Sequence, residues 1–189
     1  MHTWTKCGLL AVTLYLNSCE TPPGISTASI DYSPANSVGR QESLRIAESY
    51  RIHRWRPTKK NVFHGFDDNG IRVDTPDIAY QEQGNRPGWW HPNRQNVGIP
   101  YQWGGFDTPA EFDAKLAAGK AAGDVYSEYK RAELDNAVSE IAAGIDCSGF
   151  ISRCWRLDRS YSTRELAGLC DELESFDDLQ PGDIANLYN

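Results

Sequence analysis

Asp146-Cys147-Ser148-Gly149-Phe150-Ile151-Ser152-Arg153-Cys154-Trp155 opens with an acid and a thiol, then sets Phe150, Ile151, Cys154 and Trp155 at helical spacing. The pattern predicts an amphipathic helix with Cys147 in its first turn. Asp146 suits the N-cap, where its carboxylate accepts one of the N–H groups that a helix start leaves unpaired. The partial positive charge and open N–H groups of such an end stabilise a thiolate and lower its pKa. The same N–H groups suit an oxyanion formed when sulfur attacks a carbonyl. Gly149 removes a side chain where the helix is free to lie close to a neighbour. This spacing equally fits a cysteine packed in a core, so the residues alone leave both uses of Cys147 open.

Two further segments flank this one in a fixed order. Gly98-Ile99-Pro100-Tyr101-Gln102-Trp103-Gly104-Gly105 precedes it, and Leu179-Gln180-Pro181-Gly182-Asp183-Ile184 follows it as a turn running toward a strand. Together the three resemble the opening segment, nucleophile motif and sheet-entering turn of the NlpC-type cell-wall cysteine peptidases, whose fold is papain-like. The resemblance covers residues 98–184, about half the chain. It implies an α+β domain in which the Cys147 helix packs on an antiparallel sheet. Cys147 would be the nucleophile, and Tyr101 would place its hydroxyl near the reacting carbonyl. The substrates implied are peptidoglycan stem peptides, cut between a D-amino acid and a diamino acid. The chemistry is thiolate attack, an acyl-enzyme, then hydrolysis by an imidazole-activated water, with no metal and no cofactor. The rival classes are a non-catalytic module holding wall peptides in the same cleft and an acyl-transfer enzyme.

The family's histidine lies on a strand soon after the Pro-Gly-Asp turn, and no residue through Asn189 matches it. His53, His64 and His91 all precede Cys147. The sequence as written therefore reads as an NlpC-type domain incomplete at its C-terminal sheet, and inactive without its base. Residues 106–145 separate the Tyr101 segment from the Cys147 segment and are rich in Ala, Glu and Lys. They are expected as a helical insertion of two helices joined near Gly123, serving either as a flap over the cleft or as decoration. Thr108-Pro109-Ala110-Glu111 and Ser162-Thr163-Arg164-Glu165 are capping-box starts.

The N-terminus carries a different signal. Lys6 precedes the apolar run Cys7–Leu16, which is too short to span a bilayer. Leu16-Asn17-Ser18-Cys19 resembles a bacterial lipobox and predicts a signal peptide over 1–18 with lipidation at Cys19. Glu20 follows that cysteine, which points to an outer-membrane lipoprotein facing the periplasm. Residues 19–36, rich in Pro, Ser and Thr, are expected as a flexible tether. A segment over 37–96 then leads into the peptidase domain at 97–189. Beyond Cys19 the thiols are Cys147, Cys154 and Cys170, an odd number that leaves one reactive if Cys154 and Cys170 pair. A net charge of −7 excludes the basic footprint of nucleic-acid binding.

Within 37–96, a helix is expected from Ser37 to about Trp55, closed by Pro57. The basic run Arg40–Lys60 is read as a solvated face in preference to a lipid- or polymer-binding one. Asp67-Asp68-Asn69-Gly70 predicts a hairpin turn, with both Asn69 and Gly70 suited to positive φ, and lacks the acid spacing of a calcium loop. Trp89 and Trp90 fit either a sugar-binding face or core packing.

Overall fold

The computed structural model describes residues 29–80 and 88–185. The lipobox and Cys19 lie outside the described residues, and the tether is described only from residue 29 onward. The chain is α+β: five helices, Arg40–Ile52 (α1), Pro109–Ala117 (α2), Glu128–Glu133 (α3), Cys147–Cys154 (α4) and Thr163–Ala167 (α5), are joined by six short strands among the described residues. The strands pair two by two. Arg54–Trp55 (β1) runs antiparallel to Asn96–Val97 (β4), His64–Phe66 (β2) antiparallel to Arg72–Asp74 (β3), and Ala121–Ala122 (β5) parallel to Ala142–Ala143 (β6).

α1 is shorter than the expected helix over 37–55, because the backbone turns extended at His53 and enters β1. Its buried face is Ser43, Ile46 and Tyr50. Arg45 and Arg51 pair with Glu42 and Glu48 one turn away on the exposed side, so two of the seven cations of the basic run are answered by their own helix. The expected tether is not wholly loose. Tyr32 packs edge-on against Tyr50 and its hydroxyl lies 2.7 Å from Ser49 Oγ. Arg156 holds the same segment by donating to the Ser33 carbonyl at 2.6 Å.

The β2–β3 hairpin forms at Asp67–Gly70, but only Gly70 has positive φ, at 76°. Asp67 explains the difference. Its carboxylate accepts the N–H groups of Asn69 and Ile71 at 2.9 and 2.8 Å, fixing the turn so that one left-handed residue suffices. Of the paired tryptophans, Trp90 is fully buried and donates to the Ala122 carbonyl at 3.1 Å, while Trp89 lies half exposed against Trp55.

Segment 106–145 corrects the expectation of a helical insertion. Only α2 and α3 are α-helical within it, and between and after them it supplies β5 and β6. Phe112, Ala122 and Ala143 join Trp55 and Trp90 in one core cluster, and Ala121 and Ala142 join Val73 in another. A flap or a decoration would leave these side chains wet. α4 does not pack on an antiparallel sheet either. It lies against α1, where Ile46 and Tyr50 meet Cys154 and Phe150. The sheet pieces are too short to offer α4 a face, and α1 presents a continuous apolar stripe instead. The Gln180–Asp183 turn forms, closed by Asp183 N–H donating to the Gln180 carbonyl at 3.0 Å, but no strand follows it among the described residues. Trp155 and Arg40 tie this turn to the helix pair by donating to the carbonyls of Gly182 and Pro181 at 3.1 and 3.0 Å.

Candidate active site

α4 begins as its sequence dictates. Asp146 is extended at the N-cap and accepts the Gly149 N–H at 2.5 Å and the Ser148 hydroxyl at 2.9 Å. A Cβ at Gly149 would sit 2.2 Å from the Gly105 carbonyl oxygen, so only glycine lets α4 approach the loop after Trp103 this closely. Asp146 N–H donates to that same carbonyl at 3.1 Å. The loop is clamped from the other end of α4 as well. Arg153 donates twice to the Phe106 carbonyl, at 2.9 and 2.7 Å, stacks its guanidinium 3.6 Å from the Phe106 ring centroid, and reaches Glu111 at 3.1 Å.

Cys147 and Tyr101 are brought together. Tyr101 forms a parallel bridge with Ile145, two residues before Cys147. Its phenol is held well above its usual pKa by burial first, then by the charges of Asp146 and Cys147. The hydroxyl thus remains a neutral donor at any ordinary pH. Cys147 itself opens to solvent at its surface, while its sulfur sits among protein groups. The thiol is pushed up, by burial first and then by the Asp146 carboxylate, against the N–H groups of Ser148 and Cys147 that act the other way. This corrects the expectation of a depressed pKa. The helix end does favour a thiolate, but the acid that caps it carries the opposite charge one residue away, and desolvation adds to that.

No histidine is among the groups that shift the Cys147 thiol. His53 Nε2 lies 2.9 Å from the Asp113 carboxylate, and His64 sits between Asp77 at 2.8 Å and Asp74 at 3.2 Å. His91 belongs to a loop stapled through its backbone by Asn96. Cys154 is buried in the α1–α4 contact, where burial pushes its thiol up to about 12. Cys170 Sγ donates to the Leu166 carbonyl at 3.1 Å, and no disulfide joins the three described cysteines, so the suggested Cys154–Cys170 pair does not form.

Behind Tyr101 lies an ion pair that no spacing announces. Lys130 Nζ and Asp124 Oδ2 are 2.7 Å apart, at 2% and 0% side-chain exposure. Burial pushes the Asp124 carboxyl up to about 6 against the pull of Lys130. Asp124 also fastens the Tyr101 segment through its backbone, donating to the Tyr101 carbonyl at 2.8 Å and accepting from Trp103 N–H at 3.0 Å. Among the described residues no group of His, Cys, Asp and Glu is arranged to hold a metal ion, and no helix is long and apolar enough to cross a membrane. No protein-family model, curated protein or solved structure matches the chain.

Proposed function

We propose that the chain carries an NlpC-type, papain-like cysteine hydrolase domain acting on amide bonds of peptidoglycan stem peptides, with Cys147 as nucleophile. The observation that supports it is the Asp146-capped start of α4, with Cys147 as its first residue and the neutral Tyr101 phenol within reach of its charge. In this reading Cys147 Sγ, once deprotonated, adds to the carbonyl carbon. The phenol and the helix-end N–H groups receive the developing oxyanion, the C–N bond breaks as the amine takes a proton from water, and a second water cleaves the thioester to give the free acid and the thiol. The domain is held at the outer membrane, facing the periplasm, through lipid on Cys19. Labelling with a radioactive fatty acid tests that anchor, and incorporation that survives Cys19→Ala would refute it.

The hydrolase is tested with a purified stem tetrapeptide containing a D-amino acid to diamino acid bond. With no histidine acting on Cys147, product release is expected only at alkaline pH, where the thiol ionises unaided, and not at all from Cys147→Ala. Equal release by both at alkaline pH, or none by either there, overturns the assignment. The second reading, a non-catalytic module that holds wall peptides, is favoured by the raised Cys147 thiol and by the engagement of His53 and His64 elsewhere. It predicts tetrapeptide binding that Cys147→Ala leaves intact, with no cleavage by either protein.

A further inference from the structure

Trp103 stands two residues beyond Tyr101, at the turn that Gly105 N–H closes onto the Gln102 carbonyl at 2.9 Å, while Gln102 between them is buried and bridged to Asp124. The Tyr101–Ile145 bridge places this segment beside the start of α4, and the Tyr101 phenol feels both Cys147 and Tyr126. Tyr126, from the segment between the two motifs, completes an angled aromatic pair. Its ring centroid is 5.8 Å from that of Trp103, with the planes tilted by 57°. Both rings are half-buried. Trp103 Nε1 donates to the Leu134 carbonyl at 3.1 Å, and the buried Lys130–Asp124 pair anchors the base of the lobe. The rim is polar. The Tyr126 hydroxyl donates to Glu128 at 3.0 Å, and Arg131 hydrogen-bonds the same phenol.

A tilted aromatic pair edged by a planar carboxylate and a planar guanidinium matches a pyranose ring. The sugar's C–H face lies on the π surface while its hydroxyl and acetamido groups meet the rim. We propose that Trp103 and Tyr126 form a saccharide subsite next to Cys147, so that the chain takes stem peptides still joined to their amino sugars in preference to free peptides. This rests on the assignment of Cys147 to wall peptides. It gives the segment between the two motifs a role in substrate choice as well as in the core.

The test is calorimetry on Cys147→Ala protein with two probes, the free tetrapeptide and the disaccharide-linked tetrapeptide. The linked probe is expected to bind about tenfold more tightly. Tyr126→Ala is expected to bring that ratio close to one, and Tyr126→Phe, which keeps the ring, to retain most of it. Equal affinity for the two probes overturns the saccharide subsite and leaves the peptide assignment standing. Binding of neither overturns both. The disaccharide without peptide supplies an independent reading. It should quench tryptophan emission in the parent and not in Trp103→Phe, and equal quenching in both contradicts the subsite.

Discussion

Cys147 stands where a helix end favours a thiolate, with the acid that caps the helix one residue before it. The thiol's pKa is raised, so at a given pH less of it is ionised than of an ordinary cysteine, and iodoacetamide should label it more slowly at pH 8. Asp146→Asn keeps an oxygen for the Gly149 N–H but removes the charge. It should raise the labelling rate roughly two- to fivefold, as followed by peptide mass spectrometry. An unchanged rate would show that desolvation alone sets the thiol. The helix start and its cap were legible because they are written within four consecutive residues. The sign of the pKa shift was not, since it depends on how deeply the sulfur is packed. Arg153, the clamp on Phe106, gave no signal either, because its partners lie more than forty residues away in the chain and share no motif with it.

Capping boxes explain why α2 and α5 begin where the sequence says. Thr108 and Ser162 each exchange hydrogen bonds with the glutamate three residues on. β5 and β6 are different. Each is an Ala-Ala pair, and alanine carries little strand preference, so only their parallel pairing across the intervening segment makes them strands. The Lys130–Asp124 pair belongs to this level too, since it closes α3 onto the Tyr101 segment. Lys130→Met leaves a carboxylate buried without its partner and should cost about 3–5 kcal/mol in urea unfolding. Adding Asp124→Asn should recover most of that loss. A single variant within about 0.5 kcal/mol of the parent would mean the pair is wet in solution.

In the whole molecule, α1 against α4 and the Trp55–Trp90–Phe112 cluster meet at Ile99, which packs on both. The α+β class was what the family resemblance implied, whereas the packing of α4 on α1 depends on which apolar stripes find each other and has no local signature. Phe112 measures whether segment 106–145 belongs to the core. Phe112→Ala should destabilise the whole domain by about 3–5 kcal/mol in one cooperative transition. A loss under about 0.5 kcal/mol would return the segment to the status of a surface flap. The role of Cys147 is the centre of the functional account, and intact-protein mass spectrometry after brief exposure to the stem tetrapeptide tests it most directly. The account predicts an added acyl mass that maps to Cys147, accumulates more at pH 9 than at pH 7, and is absent from Cys147→Ala. An unmodified protein at both pH values, or an adduct on another residue, would contradict it.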